Sequence, residues 1–306
     1  MILLLLACSP VVVDFEDTQD SGVRSEGLPD GQWSLGEADD GFGWAMHWDG
    51  ARLYMSAPAS GTLASVAGDG PLVEEDIGLG AGTSLHTHQG ELFISQSLAE
   101  NGKGLLPDGS SGQGAASRAQ LSIGDRHIVL DGQGLWDAGS HLDRGFWGSA
   151  LVEFDGGWVA SASQGSPLLM TESGLRLERL SPTDEAGASM QACDVDGDGS
   201  TELVLGAPGA GQIYIYSTLS AEPLVLGPQA ERFGQSLACG KEGLAIGAPM
   251  AQEGQGAVYQ LEGQALVTIY EGAGHAGNTL LAAEEGLFVA ETGATSSDAG
   301  LVLRIY

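Results

Sequence analysis

The sequence has very little positive charge. Its 306 residues include 41 Asp and Glu but only 11 Lys and Arg, so the formal net charge is −30. A nucleic-acid binder needs a basic face that displaces counterions from the phosphates, so this function class is excluded. Anionic lipids also attract basic side chains, and the two lysines, Lys103 and Lys241, are too few for electrostatic anchoring to a membrane. The partners that remain are neutral molecules, cationic molecules and metal ions.

Long hydrophobic runs are also missing. The apolar stretch near the N terminus is far shorter than the roughly 20 residues of a transmembrane helix. It ends in Leu5-Leu6-Ala7-Cys8, which resembles a bacterial lipobox, where the cysteine becomes the lipid-modified first residue of the mature protein. The resemblance implies a signal peptide over residues 1–8, with lipid on Cys8 as the membrane contact. An ordinary cleaved or misassigned N terminus is the alternative.

The segment after Cys8 is acidic, rich in glycine and poor in apolar residues. This composition predicts a flexible tether over residues 9–30, with the folded domain beginning near Gly31. The expected location is therefore the cell envelope, as an outer-membrane lipoprotein that faces the surface or the periplasm.

Glycine is abundant, with 49 residues, and it marks an internal repeat. Each copy has five positions: first an aromatic residue or Ala, then Gly, then any residue, then Ser, Thr or Ala, and last Leu or Met. A second apolar run begins 10 residues after the glycine in five copies and 16 residues after it in the fourth. Turns such as Asp49-Gly50 lie between the two runs, as in β-hairpins. Third and fourth β-type segments follow, which in the second repeat we expect at residues 114–121 and 126–132. The anchor glycines are Gly43, Gly82, Gly148, Gly187, Gly234 and Gly277.

This register predicts an all-β fold, a six-bladed β-propeller of four-stranded antiparallel blades that forms a single domain over residues 31–306. The sequence ends after the third strand of the sixth repeat, and the GQWSLGE segment around Trp33 has the character of the missing fourth strand. We expect this N-terminal strand to complete the last blade and to close the ring. A linear β-solenoid, which needs no closing strand, is the alternative.

The repeats also carry a family resemblance. Phe233-Gly234 and the Gly-Ala-Pro runs at 206–208 and 247–249 resemble FG-GAP repeats, the blades of integrin α-subunit propellers and of many exported bacterial proteins. The resemblance covers nearly all of residues 31–306 and is most specific in the fourth and fifth repeats. Integrin propellers have seven blades and six repeats are counted here, so integrin ligand specificity is not carried over.

The six extra residues of the fourth repeat form an acidic loop. Carboxylates at alternate positions of a tight loop converge on one point, and calcium takes six to eight oxygen ligands. The loop therefore predicts a structural Ca²⁺ site, although the family's usual residue at the last position is Asp rather than Glu. Magnesium and a solvated acidic turn without metal are the alternatives. The predicted ligands are Asp194, Asp196, Asp198, Ser200 and Glu202.

Two further sets of residues could form cross-links or metal sites. Cys193 and Cys239 lie six and five residues after their anchor glycines, so they lie on opposite faces of their strands. This parity permits a disulfide across a blade boundary but also permits two separate thiols. His86 and His88 share one strand face, and His47 occupies the repeat position of His86 one repeat earlier. A transition metal could use these three histidines, but we expect packed or solvated side chains.

The second repeat contains two long excursions, residues 98–113 and 131–146, which we interpret as loops on the face opposite the calcium loop. Long loops on a rigid scaffold often carry recognition, so this rim is the expected ligand contact. The alternative is a disordered insertion beside packed aromatic residues. The candidate ligand-binding residues are Trp136, His141, Asp143 and Arg144.

No catalytic motif accompanies these features. The sequence has no G-x-S-x-G elbow, no H-E-x-x-H helix and no phosphate-binding glycine loop. We therefore expect no enzymatic activity, and instead a surface binding or adhesion module for an extracellular protein or glycan. The alternatives are a carbohydrate- or ester-active hydrolase or lyase with its site in the central channel, and a purely structural lipoprotein.

Overall fold

The computed structural model describes residues 31–35, 41–68, 70–77, 81–96, 103–105, 111–113, 119–130, 134–137, 140–144, 148–162, 169–174, 176–177, 183–228, 232–292 and 300–306. Cys8, the signal peptide and the tether predicted over residues 1–30 lie outside these residues. Within the described ranges, no helix is long and apolar enough to cross a membrane.

The described chain is built almost entirely of short β-strands separated by turns. The second strand of most sheets is apolar and buried along nearly its whole length, as expected for a strand covered on both faces. One helical turn, α1, spans Ala251–Gly254. The strands are β1 (Gln32–Trp33), β2 (Met46–Trp48), β3 (Leu53–Ala57), β4 (Thr62–Val66), β5 (Val73–Asp76), β6 (Ala81–His88), β7 (Glu91–Gln96), β8 (Lys103–Leu105), β9 (Ser111–Gln113), β10 (Ala119–Ile123), β11 (Arg126–Leu130), β12 (Gly134–Asp137), β13 (Ser140–Arg144), β14 (Gly148–Phe154), β15 (Gly157–Ala162), β16 (Leu169–Thr171), β17 (Arg176–Leu177), β18 (Ser189–Cys193), β19 (Glu202–Ala207), β20 (Gln212–Tyr216), β21 (Leu224–Leu226), β22 (Ser236–Gly240), β23 (Gly243–Ala248), β24 (Ala257–Glu262), β25 (Ala265–Glu271), β26 (Ala276–Ala283), β27 (Gly286–Glu291) and β28 (Leu301–Arg304).

Six four-stranded antiparallel sheets form the blades of a propeller, as the repeats predict. Their strand orders are β2-β3-β4-β5, β10-β11-β12-β13, β14-β15-β16-β17, β18-β19-β20-β21, β22-β23-β24-β25 and β1-β28-β27-β26. Two further hairpins, β6-β7 and β8-β9, lie between the first two of these sheets in the chain. The first strands contact one another in the order β2, β6, β10, β14, β18, β22, β26 and back to β2. The ring therefore contains the six four-stranded blades together with the two-stranded β6-β7 sheet, which lies between the β2–β5 and β10–β13 sheets.

The second repeat differs from its predicted strand assignment. The segments expected to be its third and fourth strands are β10 and β11, which begin a separate four-stranded sheet. The excursion over residues 131–146 supplies β12 and β13 of that sheet, and the excursion over residues 98–113 contains β8 and β9. The loop interpretation of both excursions was therefore wrong. The interval of 66 residues between Gly82 and Gly148, against 39 to 47 elsewhere, already leaves room for this extra unit.

The N-terminal strand β1 lies at the outer edge of the last sheet. Gln32 pairs with Leu303 and Trp33 pairs with Val302, both antiparallel. Trp33 is buried and its ring lies against that of Phe288, with centroids 6.1 Å apart. The first and last described strands of the chain are thus hydrogen-bonded to each other.

The core lies between neighbouring sheets rather than within each of them. Phe42 and Phe233, the aromatic residues that begin two repeat motifs, are completely buried. Phe233 belongs to a cluster of buried side chains drawn from both the β18–β21 sheet and the β22–β25 sheet, including Ile213 and Ile246. Each boundary thus buries apolar area supplied by two sheets, which is the main driving force for packing them together.

The anchor glycines are explained by the backbone at the same boundaries. An L-residue with a side chain rarely adopts a positive φ, whereas glycine does so without steric cost. A Cβ on Gly234 would also lie 2.7 Å from the carbonyl oxygen of Gln212. Five anchor glycines have φ between 80° and 87°, namely Gly43, Gly82, Gly187, Gly234 and Gly277.

At four boundaries a buried or partly buried serine hydroxyl donates to the carbonyl of the next anchor glycine. In two repeats the donor is on the second strand: Ser56 Oγ lies 2.6 Å from Gly82 O, and Ser161 Oγ lies 2.5 Å from Gly187 O. In two others the donor is on or at the first strand, and the opposing residue of the second strand is glycine. These donors are Ser189, 2.9 Å from Gly234 O, and Ser236, 2.7 Å from Gly277 O, opposite Gly206 and Gly247.

One boundary also carries a covalent link. Cys193, at the end of β18, and Cys239, on β22, form a disulfide with Cα atoms 5.7 Å apart. The two strands belong to adjacent sheets, so the side chains on opposite strand faces point towards each other rather than apart. The bridge therefore joins the β18–β21 and β22–β25 sheets.

Candidate metal centre and neighbouring polar sites

The acidic loop connects β18 to β19 and is shaped by its own side chains. Asp194 accepts hydrogen bonds through both carboxylate oxygens, from the amide of Gly197 at 2.8 Å and from the amide of Gly199 at 3.0 Å. Both glycines have a positive φ, 77° and 88°, which allows the chain to turn twice within the loop. The backbone therefore wraps around the Asp194 carboxylate.

Three predicted ligands converge. Asp194, Asp196 and Glu202 each offer a carboxylate oxygen, and these oxygens lie within 4.8 Å of one another. Asp198 is not part of this group, and its Oδ1 accepts from the amide of Ser200 at 2.7 Å. The structure thus brings together three of the five residues that the sequence predicts as ligands.

Glu202 is the buried member of the group, with 6% of its surface exposed. Burial raises the pKa of its carboxyl group, and the negative charges of Asp196, Asp198 and Asp194 raise it further, against the lowering effect of a hydrogen bond from the amide of Val195. Like charges held together in this way repel unless a cation lies between them. An all-oxygen, all-anionic donor set of this kind fits a hard divalent cation.

A polar groove lies directly beside the loop. It has a volume of about 610 Å³ and is lined by residues 153–156 of the β14–β15 turn, Ala192, Thr201 of the acidic loop, and Ser217 and Thr218 after β20. The groove lies between two adjacent sheets, so no single repeat contains it. Sequence reasoning missed it, because its walls meet only when neighbouring blades pack.

The candidate ligand-binding residues lie on the two outer strands of the β10–β13 sheet. Trp136 of β12 pairs with His141 of β13, and the same ladder pairs Leu135 with Asp143 and Gly134 with Arg144. The four predicted residues are therefore close together in the backbone, although on paired strands rather than on a loop rim.

The histidines form a cluster that the sequence predicts only in part. The rings of His47 and His86 lie 5.8 Å apart between centroids, so the two equivalent positions do approach each other. His127, at the start of β11, stacks on His86 at 5.3 Å and on His88 at 4.9 Å. The sequence pattern assigns β11 to the second repeat as an outer strand, so it does not predict that His127 joins the cluster. Recognition of the additional hairpin in the 66-residue interval would have placed it here.

The cluster is held by hydroxyl and amide groups of neighbouring strands. Ser122 Oγ lies 2.7 Å from His86 Nε2 and 2.8 Å from His88 Nδ1. Burial, with the charges that His47 and His88 can carry, lowers the pKa of His86 to about 4. Burial and the neighbouring His86 and His88 likewise lower the pKa of His127 to about 3. Both imidazoles are neutral at pH 7.

Comparison with known proteins agrees with this architecture. Residues 186–216, which contain β18, the acidic loop, β19 and β20, match the FG-GAP repeat family. No curated protein sequence matches the chain.

Several solved structures share the fold. Virginiamycin B lyase from Staphylococcus aureus superposes with a TM-score of 0.60 at 14% identity, over 89% of this chain and 98% of that one. The extracellular domain of the hybrid two component system protein BT3049 from B. thetaiotaomicron has a TM-score of 0.60 at 10% identity, over 90% of this chain and 41% of that one. PorZ, a surface component of the type-IX secretion system of Porphyromonas gingivalis, has a TM-score of 0.54 at 15% identity, over 90% of this chain and 38% of that one. At these identities the likeness shows the propeller fold alone.

Proposed function

We propose that this protein is an exported, calcium-binding β-propeller that acts as a binding or adhesion module at the cell surface, anchored through lipid on Cys8. The observation that carries the proposal is the convergence of the Asp194, Asp196 and Glu202 carboxylates in a loop of the FG-GAP repeat. Two solved structures of the same fold, an extracellular domain and a bacterial surface component, support the location.

Calcium fits this loop better than the other common cations. The donors are carboxylates, and calcium accepts flexible oxygen coordination, whereas magnesium requires a stricter octahedron and retains its waters. Asp194 and Asp196 are exposed, so an ion can reach the loop from solvent. The net charge of −30 adds a long-range attraction for any cation.

The role proposed for the ion is structural rather than catalytic. Bound calcium offsets the repulsion among three carboxylates and holds the segment that includes Thr201. Thr201 lines the polar groove, so calcium also fixes one wall of a surface to which a neutral or cationic ligand can bind. The proposed ligand is an extracellular protein or glycan, and Trp136, His141, Asp143 and Arg144 are proposed to contact it.

Calcium titration of the chelator-treated protein tests the first part of this proposal. We expect saturable calcium binding by isothermal titration calorimetry, and its loss in an Asp194→Asn/Asp196→Asn double variant. The matched control is Asp125→Asn/Glu285→Gln, which removes two exposed carboxylates from other hairpin turns and should leave calcium affinity unchanged. Equal calcium binding by both double variants would contradict the assignment.

A binding screen tests the second part. Immobilised glycans and extracellular proteins are probed with the propeller in the presence of calcium and of chelator. A binding module should capture at least one class of ligand, more strongly with calcium. Absence of capture under both conditions, with calcium binding intact, would favour the purely structural role. Turnover of a carbohydrate or ester ligand in the same screen would favour the hydrolase or lyase.

A further inference from the structure

We propose that His86 and His88, which both face the Ser122 hydroxyl, form a second metal site that takes a divalent transition-metal ion such as Zn²⁺, Ni²⁺ or Cu²⁺. The site is separate from the acidic loop in both position and chemistry. Its protein donors are imidazole nitrogens from β6, and it lies where β6 packs on β10.

The arrangement of the two histidines on one strand is the first argument. Residues i and i+2 of a β-strand point to the same face, so the imidazoles of His86 and His88 lie side by side. Only Thr87 separates them in the chain, and its hydroxyl is directed elsewhere, 2.9 Å from His47 Nε2. The two rings are therefore positioned as a chelating pair by the strand itself.

Convergence on one point is the second argument. His86 Nε2 and His88 Nδ1 lie 2.7 and 2.8 Å from the same atom, Ser122 Oγ. A serine hydroxyl has one proton to donate, so one of these nitrogens accepts it and the other donates to the oxygen. If the serine side chain rotates away, both nitrogens point to the position it leaves. A shift of well under 1 Å then brings each of them to the roughly 2.0–2.1 Å of a Zn–N bond.

His127 supplies the third argument, since it fixes the other two rings. It is 3% exposed and stacks on both of them. Its Nε2 lies 3.0 Å from Gln120 Oε1, an acceptor, so Nε2 carries the proton and Nδ1 keeps its lone pair. Within the described residues this buried Nδ1 has no hydrogen-bond partner. A neutral, tightly packed ring of this kind holds its neighbours at a defined distance without adding a charge that would repel a cation.

The chemistry of the donors decides which metals the site takes. Imidazole nitrogen is a preferred donor for Zn, Cu and Ni, whereas Ca²⁺ selects oxygen.

Two protein nitrogens leave the coordination sphere open. Among the residues that the structure describes, the acidic loop is the one place where three His, Cys, Asp or Glu donors lie within 4.8 Å of one another. An ion at His86 and His88 would therefore complete its coordination with water or with a donor group of an external ligand. Both histidines and Ser122 are partly exposed, so the position is open to solvent.

Titration of untagged, chelator-treated protein with Ni²⁺, Zn²⁺ or Cu²⁺ tests this site. Removing a residue that only supports a metal ligand already weakens metal binding by roughly tenfold or more. Losing one of the two protein ligands themselves should weaken binding at least as much. His86→Asn and His88→Asn should each show this loss. His275→Asn removes an imidazole that lies directly before β26, at a residue with φ of 54°, which Asn tolerates, and should leave affinity unchanged. Ser122→Ala should retain binding, because the hydroxyl occupies the position of the ion.

Electron paramagnetic resonance of the Cu²⁺-loaded wild-type protein provides a test that does not depend on the folding of any variant. Hyperfine coupling to two imidazole nitrogens is the expected result. An all-oxygen spectrum would overturn the proposal. So would wild-type affinity in both histidine variants, or loss of binding in Asp194→Asn/Asp196→Asn with the histidines intact.

Discussion

Replacement of Gly206 by alanine tests how closely two blades approach each other. Gly206 lies on β19, opposite Ser189 and against the next anchor glycine. A Cβ at this position would lie 2.0 Å from the carbonyl oxygen of Gly234 and 2.3 Å from Ser189 Oγ. Because Cβ atoms do not approach other atoms within 3.0 Å, the neighbouring backbone would have to retreat by about 1 Å.

The magnitude follows from two costs. Insertion of a methyl group into a packed boundary costs about 1–3 kcal/mol of folding free energy. Moving the Gly234 carbonyl also breaks its hydrogen bond from Ser189 Oγ, and an unsatisfied buried carbonyl costs about 1–3 kcal/mol. We therefore expect Gly206→Ala to lower the free energy of unfolding by about 2–6 kcal/mol, a large part of the roughly 5–15 kcal/mol that a domain has.

Guanidinium unfolding, followed by tryptophan fluorescence, measures this loss. The control is Gly157→Ala, where the nearest atoms belong to the exposed side chain of Glu172 and the change should stay within about 0.5 kcal/mol. A Ser189→Ala background removes one of the two overlaps but leaves the overlap with the carbonyl. Gly206→Ala should therefore remain destabilising in that background. Full recovery there, or a loss under about 1 kcal/mol in the single variant, would refute the argument for backbone contact.

Three further predictions follow from the sites. Removal of calcium should lower the melting temperature. An ion that binds only the folded state, at a free concentration of 100 times its Kd, adds about 2.7 kcal/mol of folding stability. Equal melting curves in calcium and in chelator would contradict this. Replacing Trp136 and Arg144 together by alanine should weaken ligand capture without lowering the melting temperature, and undiminished affinity would exclude this contact. Burial and the hydrogen bond from its hydroxyl to Asp49 raise the pKa of Tyr54 to about 12. The neutral phenol therefore adds folding stability that is complete below pH 10 and is lost as the pH rises through 12. Tyr54→Phe should flatten this alkaline loss, by about 2–3 kcal/mol, in unfolding experiments between pH 9 and 12, and an unchanged slope would show that Tyr54 does not contribute.

The features that sequence predicts best are those decided within one repeat. The acidic loop is an example, since Asp194 and Asp196 are two residues apart and Glu202 begins the next strand. Their convergence depends on two local turns at glycines rather than on distant packing. The hairpins of the first, third and later repeats are equally local, because a short turn joins two apolar runs of fixed separation.

The second repeat was misassigned because its neighbour has no recognisable motif. Strand β10 has the sequence AQLSI and lacks the anchor glycine that lies near the start of the other first strands. Without that anchor, β10 and β11 were assigned to the preceding repeat as third and fourth strands. The glycine- and serine-rich segment that contains β9 resembled a flexible insertion, although its residues pair with β8. Composition indicates flexibility, but it does not show which backbone groups find a partner.

Contacts between sheets depend on ring order, which sequence parity does not determine. Parity placed Cys193 and Cys239 on opposite strand faces but left open whether those faces meet, and the packing of β18 beside β22 brings them together. The alternation of serine donors has the same origin. Ser56 and Ser161 occupy the second strand, whereas Ser189 and Ser236 lie opposite glycine, and all four reach the next anchor carbonyl. The hydrogen bond is retained at these boundaries while the strand that donates it changes.

The disulfide and the histidine cluster lie at different boundaries of the ring, and these boundaries differ in how much apolar surface they bury. The β18–β21 and β22–β25 sheets are four-stranded, so they already share a large apolar boundary, to which the disulfide adds a covalent restraint. Strand β6 instead belongs to a two-stranded sheet, and the buried residues that it shares with its neighbours form the smaller cluster of Tyr54, Leu63, Leu85 and Ile94. Polar contacts supplement this boundary, from His47 to Thr87 on one side and from His86 and His88 to Ser122 on the other. A metal ion held by the two β6 histidines beside Ser122 would lie at this junction, so its binding should stabilise the boundary that has the smallest buried apolar cluster among the described residues.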